Sequence, residues 1–556
     1  MSRTIFNPNG KNSFTSLVVE NYFVDKTVFI GKTIERLDSS DRKLIAFTRP
    51  RRFGKTVTAH MLASFYSKGA DTKNIFSRLN IATDYKKGTD FNYEEYLNKF
   101  DVIYWDLNSI KGDFTAYQCD ASLHIEGIDD LVDYLQFITV LELKQNREFE
   151  EKISNNPLIG KKSLKQALVT TQNKFVLIMD EWDLIYRDYR EDEQLQKKFI
   201  DLLTGLFKAY DGLECFSLVY LTGILPIKKY NSESALNNFE EFNMLSPEPY
   251  EEYLGFTEEE VEKTVNKSDS GLSLAELKEW YDGYRFNGKD IYNPNSVALA
   301  IKKGKCRSFW SGTSSNEEII RLINMNFDGI KDDILNMIAG SMVEFDFETF
   351  QNDLVSIDNK DQALSLLVCL GYLGCINAGD TQRLAFVPNK EIRSALNSIV
   401  RKQPWYNSLP IIERSEKLFQ AIKNCDAETV AQIIENIHNS TYVSVLGYNR
   451  EEALIFCLIA GLMWSIGTDY ECYREVQSGA GFVDLVYVPK IKVDLPVLLI
   501  EFKRDAGADA ALKQIKENNY VSRYCSDRAD NEVVMIGLSY NSKTKEHQCV
   551  IESLVQ

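Results

Sequence analysis

The sequence predicts an α/β chain with an N-terminal parallel sheet, a helical middle region and a second compact α/β domain at the C-terminus. Three observations carry that expectation. Across the first half, short apolar runs alternate with helical patterns, as parallel strands joined by crossover helices require. Beyond about Leu245 the texture becomes acidic and helical, and from about Glu451 apolar strands return with helical flanks. At 556 residues the chain is too long for one core, and length alone suggests about three or four domains. The changes of texture divide it at 1–245, 246–345, 346–445 and 446–556.

Taken in order, Lys43 to Ser67 reads as a strand (KLIAFT), a turn (RPRRFGKT) and an amphipathic helix (VTAHMLASFYS). Phe100 to Leu107 is a second strand candidate, Lys161 to Gln172 a helix, KFVLIMDEWD a buried-type strand ending in acids, and Cys215 to Thr222 another apolar strand. EPYEEYLGFTEEEVEKTV and LSLAELKEWYDGYRF read as acidic helical segments. Leu364 to Val387 reads as a helix followed by a hairpin with Gly-Asp at its turn, which suggests a winged-helix-like unit in the middle region. The C-terminal order is helix (EEALIFCLIAGLMW), strands (GFVDLVYV, LPVLLIEFK), helix (AALKQIKENNYVSRY) and strand (EVVMIGLSY).

Composition narrows the function classes. Hydrophobic residues make up 44% and charged residues 26%, an ordinary globular balance. MSRTIFNPNGKNSF has no apolar core of a secretory signal, and the apolar stretch Ala453 to Ile466 is too short for a bilayer, so a cytoplasmic chain without a membrane partner is expected. Ten cysteines stand singly beside only four histidines, which argues against a zinc site or a disulfide framework and for reduced core thiols. The net charge of −17 repels phosphate overall. Contact with nucleic acid therefore needs a local groove or bound cations.

Two constellations carry chemistry. In RPRRFGKT, between strand and helix, the backbone of Arg52, Phe53 and Gly54 would face phosphate oxygens. Lys55 would reach the β- and γ-phosphates of ATP, and the Thr56 hydroxyl would ligate Mg²⁺. The usual pattern has glycine where Arg49 stands. The strand FVLIMDEWD delivers Asp180, as a Mg²⁺ partner, and Glu181, as the residue that orients or deprotonates water, to its C-terminal end, where ligands bind in open α/β sheets. Thr222 ends the next strand; it reads equally as a γ-phosphate sensor and as an ordinary loop hydroxyl.

These residues resemble the bacterial AAA-ATPase-like family. The resemblance rests on YFVDKT at Tyr22 to Thr27, RPRRFGKT, DEWD, LTG at Leu221 to Gly223, WYDGYRF at Trp280 to Phe286 and YNPNSV at Tyr292 to Val297. It implies a P-loop NTPase sheet in the N-terminal part and a middle helical region containing PNKEIR, Pro388 to Arg393. It assigns no arginine finger; Arg285 reads as one candidate and equally as half of a tethering ion pair.

Toward the C-terminus, Asp484 lies in GFVDLVYV and Glu501 and Lys503 in LPVLLIEFK. On a strand, residues two apart share a face, so Glu501 and Lys503 point the same way. Two carboxylates to hold Mg²⁺, or Mn²⁺, and a lysine to position water or neutralise charge are what phosphodiester hydrolysis requires. A salt-bridged strand edge is the plain alternative. The order helix, strand with Asp, strand with Glu-x-Lys, helix resembles the PD-(D/E)XK nuclease superfamily, a restriction-endonuclease-like fold. The resemblance implies supporting roles for Glu452 on the first helix and for Gln514 and Tyr520 on the following one; Val483 replaces the proline of its name.

The expectation is thus an ATP-binding and hydrolysing protein with a metal-dependent nuclease domain acting on DNA or RNA, in a defence or mobile-element context by analogy, with homo-oligomerisation left open. The alternative is a nucleotide-switched signalling or nucleic-acid-binding protein whose nuclease fold is non-catalytic.

Overall fold

The computed structural model describes residues 13–89, 91–120, 125–227, 236–286, 288–310, 316–348, 350, 357–379, 381–403, 410–440, 452–466, 470–478, 481–489, 495–518 and 532–554. The chain forms two compact units, one of residues 1–313 with 345–395 and the other of residues 314–344 with 396–556.

The first unit is built on a five-stranded sheet of β1 (Leu44–Thr48), β2 (Asp101–Asp106), β3 (Phe175–Asp180), β4 (Phe216–Gly223) and β5 (Glu240–Phe242), in the order β2-β3-β4-β1-β5. All its pairings are parallel. Strands β1, β3 and β4 are buried along their whole length, which explains their unbroken apolar runs. One face packs Phe47, Tyr220 and Phe242 against Ala59, Leu62 and Tyr66 of the helix Lys55–Tyr66. The other packs Ile103, Leu177 and Val219 against Leu135, Leu168 and Phe199 of the helices Leu131–Gln145, Leu164–Thr171 and Glu193–Phe207.

The acidic segments depart from a purely helical reading. The helix Glu258–Lys267 starts only at the capping box of Thr257 and Glu260, so EPYEEYLGF precedes it without being part of it. β6 (Phe256–Thr257), β7 (Tyr284–Phe286) and β8 (Lys289–Tyr292) form a small antiparallel sheet. WYDGYRF therefore splits: the helix Leu274–Tyr281 ends, Gly283 turns at φ 102°, and β7 begins. A side chain at Gly283 would place its Cβ 2.0 Å from the Pro388 carbonyl oxygen, so the turn needs glycine. β9 (Val343–Asp346) carries the chain across the boundary between the units. The helix Lys360–Cys369 then leads into the hairpin of β10 (Gly374–Asn377) and β11 (Gln382–Phe386), as the sequence predicts.

The second unit holds a mixed five-stranded sheet of β12 (Tyr470–Ser478), β13 (Gly481–Pro489), β14 (Val497–Arg504), β15 (Val533–Tyr540) and β16 (His547–Leu554), in chain order. Only β14 and β15 run parallel. Leu418, Ile422, Ile434, Leu458 and Leu462 of the helices Pro410–Lys423, Ala427–Ser440 and Glu452–Ile466 pack on Leu485, Leu498 and Ile500. On the opposite face Leu512 and Ile515 of the helix Ala508–Glu517 meet Val483, Val486 and Leu499.

No helix among the described residues is long and apolar enough to cross a membrane. Cys215, Cys369, Cys375 and Cys457 are buried thiols, as expected, whereas Cys119 and Cys472 are exposed, so the core-thiol reading does not extend to every cysteine.

Candidate functional site

The helix Lys55–Tyr66 starts where the turn after β1 closes. Its N-cap, Gly54, sits at φ 84°, and Arg52 at φ 71°, so the left-handed backbone falls at those two positions. Arg49 needs no glycine: its N–H donates to the Gly223 carbonyl at 3.1 Å, prolonging the β1–β4 ladder. The buried Arg49 guanidinium donates to the carbonyls of Thr48 (2.9 Å) and Phe242 (3.1 Å) and lies 5.6 Å from the Phe286 ring centre. Burial pulls its pKa down to about 10.

Lys55 is buried and donates from Nζ to the Pro50 carbonyl at 2.9 Å. Burial lowers its pKa, against the pull of Glu181, Asp180 and Asp183. Asp180 closes β3 with its carboxyl pushed up to about 7, by burial first; a hydrogen bond from Thr56 opposes the shift and Glu181 adds to it. Thr56 and Asp180 are therefore in contact. Thr222 is opposite Asp180 in the β3–β4 register, and Phe47 on β1 is its other neighbour. Strand β4 thus sets a buried threonine between Phe47 of β1 and the acidic end of β3.

Beyond Asp180 the DEWD segment is stitched to the end of β4. Trp182 N–H donates to the Thr222 carbonyl and its indole N–H to the Leu225 carbonyl, both at 3.0 Å. The fully buried Asp183 carboxylate accepts from the N–H groups of Ile224 (3.3 Å) and Leu225 (3.0 Å). Arg187, on the helix Leu184–Asp188, pairs with both Glu181 and Asp183. The Asp183–Arg187 spacing of four was the available signal for these two residues, which the motif reading passed over.

The side chains of Arg52 and Phe53 turn away from a phosphate role. Arg52 donates from Nη1 to the Phe309 carbonyl, and the buried Phe53 ring meets Tyr284 edge-on at 5.1 Å. What these two positions can present to an anion is backbone N–H. Tyr284 in turn donates to the Gly371 carbonyl at 2.7 Å, and Pro50 lies directly over Gly371. Glu391 completes the support, accepting from Phe309 N–H (2.6 Å) and Ser296 Oγ (2.8 Å); burial pushes its carboxyl up to about 7. The exposed Arg285 side chain, on β7 between the buried Tyr284 and Phe286, pairs with Asp290 at 2.9 Å, the tethering arrangement.

In the second unit Asp484 and Glu501 stand one residue beyond the Leu485–Ile500 pair of β13 and β14. Phe502 N–H donates to Asp484 Oδ2 at 2.8 Å, and Asp484 N–H to Glu501 Oε2 at 3.4 Å. Lys503 Nζ contacts Glu501 Oε1 at 3.1 Å, and Gln514 Nε2 donates to the same oxygen from the helix Ala508–Glu517. Glu501 is buried; desolvation, with the neighbouring Asp484 charge, pushes its carboxyl up to about 7. Three of the sequence-selected residues, Asp484, Lys503 and Gln514, therefore converge on the carboxylate of a fourth, Glu501. Glu452 opens the helix Glu452–Ile466, but its side chain lies outside the described residues, as does Tyr520. A pair of adjacent carboxylates is a hard-oxygen donor set that suits Mg²⁺ or Mn²⁺.

Residues 8–231 match a family described as predicted AAA-ATPase, and residues 450–549 match the PD-(D/E)XK nuclease superfamily. The chain is also 22% identical, over 541 residues and 96% of each protein, to an uncharacterized protein in the vnfD 5' region of Azotobacter chroococcum mcd 1. Parallel N-terminal sheet, mixed C-terminal sheet and these matches agree: the chain joins a predicted AAA-ATPase-like domain to a C-terminal domain of the PD-(D/E)XK nuclease superfamily.

Proposed function

We propose that the N-terminal domain binds and hydrolyses ATP with Mg²⁺, and that its nucleotide state controls cleavage of DNA or RNA by the C-terminal domain. The observation that carries this reading is the convergence of Asp484, Lys503 and Gln514 on Glu501. In the first domain Lys55 would hold the β- and γ-phosphates, Thr56 and Asp180 would hold Mg²⁺, Glu181 would orient the attacking water and Thr222 would sense the γ-phosphate. In the second, Asp484 and Glu501 would hold Mg²⁺ or Mn²⁺, which when bound neutralises charge on the phosphodiester and acidifies water. Lys503 would orient that water, with Gln514, Glu452 and Tyr520 in support. The division at 245, 345 and 445, a cytoplasmic setting, homo-oligomerisation and a role in defence or mobile-element control belong to the same proposal.

The test is a cleavage panel of double-stranded DNA, single-stranded DNA and RNA with Mg²⁺ or Mn²⁺, with and without ATP, using wild type and Lys503→Ala. Cleavage by wild type alone supports the reading. No cleavage of any substrate by wild type, with ATP binding intact, makes the C-terminal domain a non-catalytic binding module.

A further inference from the structure

Glu181 is held in an unusual place. Its φ is 59°, a left-handed conformation that strains a non-glycine residue and persists only where the surroundings impose it. Backbone contacts impose part of it: Glu181 N–H donates to Asp180 Oδ1 at 3.1 Å, its carbonyl accepts from Leu184 N–H at 2.9 Å, and Trp182 N–H is tied to Thr222. None of these fixes the Glu181 side chain.

Arg187 does. Its Nη2 pairs with Glu181 Oε2, and its Nε lies 2.9 Å from Asp183 Oδ2. All three side chains are largely buried, at 11% exposure for Arg187, 17% for Glu181 and 0% for Asp183. Asp183 is itself anchored by the Ile224 and Leu225 amides, so the guanidinium bridges a rigid carboxylate and a movable one. Burial opposes the charge on Arg187, but Asp183 and Glu181 outweigh it and keep the guanidinium protonated. Arg51 and Lys55 are further cations near this group, and burial first, then the like charge of Arg187, lowers the pKa of each.

We propose that Arg187 is the positioning residue for Glu181: through Asp183 it ties the Glu181 carboxylate to the end of β4, beside Asp180 and Lys55. The inference rests on the ATPase reading above. A carboxylate that orients water must keep one direction while the rest of its chain turns through a strained residue, and an ion pair to a fixed partner supplies that direction. The sequence spacing hides the relationship. Positions 181 and 187 are six apart and would not meet on one helix; they meet because Glu181 lies outside the helix, folded back by its positive φ.

The test uses the full chain in four forms: wild type, Arg187→Gln, Arg187→Lys and Glu181→Gln, with the Arg187→Gln/Glu181→Gln double variant to close a cycle. Arg187→Gln should lower kcat for ATP about 10–100-fold, with KM and calorimetric ATP affinity within about twofold of wild type, and Arg187→Lys should recover most of the loss. In the Glu181→Gln background the Arg187→Gln change should have no further effect. Hydrogen exchange of nucleotide-free protein should quicken over residues 181–187 in Arg187→Gln and return toward wild type in Arg187→Lys. Unchanged or faster turnover in Arg187→Gln overturns the proposal, as does an equal loss in the Glu181→Gln background. If Arg187→Gln does not fold, Arg187→Lys decides alone: a kcat as low as that of Glu181→Gln overturns it, because the lysine would then keep the ion pair to Glu181 without keeping turnover. Absence of ATP binding by wild type would instead remove the underlying ATPase reading.

Discussion

Asp484 and Glu501 each receive a backbone N–H from the other's strand: Phe502 N–H reaches Asp484 Oδ2 at 2.8 Å and Asp484 N–H reaches Glu501 Oε2 at 3.4 Å. Two carboxylates are thereby held side by side, and their mutual repulsion is part of why the Glu501 carboxyl is pushed up to about 7. A divalent cation would relieve that repulsion. Mg²⁺ or Mn²⁺ should raise the melting temperature of wild type, by the equivalent of about 2.7 kcal/mol at a hundredfold excess over Kd. The rise should vanish in Asp484→Ala and Glu501→Ala and survive in part in Lys503→Ala, since lysine is no ligand. Equal shifts in all three variants, followed by thermal melts without nucleotide, would show that the pair does not bind the metal.

Lys55→Ala should abolish ATP binding while the fold persists. The buried Lys55 ammonium donates to the Pro50 carbonyl and faces the charges of Glu181, Asp180 and Asp183. Calorimetric titration with ATP checks this, and unchanged affinity would remove the phosphate-loop assignment.

Tyr284 supports the turn at residues 49–56 through Phe53 and Gly371. Tyr284→Phe removes one buried hydrogen bond and should cost about 1 kcal/mol. Tyr284→Ala opens a cavity under Phe53 and should cost about 3–5 kcal/mol and weaken ATP binding as well. Urea unfolding and ATP titration of both variants separate the two effects; equal losses would mean the ring does not support the loop.

His438 Nδ1 and His547 Nε2 lie 2.8 Å apart, so one proton serves both nitrogens. Burial first, and the neighbouring His438 second, hold the His547 pKa down to about 4, with Lys545 near His438 and Glu435 at 3.8 Å from His547. The unfolded chain therefore binds a proton at this site before the folded one does. The stabilisation is complete above the ordinary histidine value near pH 6.5 and is lost as pH falls through about 4, at most about 3 kcal/mol in all. His547→Leu should flatten the loss of stability between those pH values. Parallel acid limbs in wild type and variant, read from unfolding at stepped pH, would remove the histidine pair as a cause.

Local signals were legible in the sequence. The strands β1, β3, β4, β14 and β15 announce themselves because strands buried on both faces are continuous apolar runs. Lys55 and Thr56 were readable as the opening of a helix after an apolar strand and a turn, and Asp180, Asp484, Glu501 and Lys503 because each sits at a strand end or on a strand face where spacing of one or two residues decides direction. The edge strands β12, reading YECYREVQS, and β16, reading HQCVIESL, gave no such run, since an edge strand half-open to solvent needs no apolar face.

The sequence by itself determined which segments form strands and helices around each motif, and which side chains could do chemistry there. It did not determine that β4 lies between β1 and β3, which alone places Thr222 opposite Asp180. Nor did it determine that Tyr284, Phe309 and Gly371 meet the turn at residues 49–56 from more than 200 positions away, or that Arg187 pairs with Glu181. Local structure follows from side-chain period and backbone sterics, which act over a few residues. Strand order, cross-region packing and the pairing of a folded-back carboxylate depend on which distant surfaces bury each other, and that is decided only when the whole core closes.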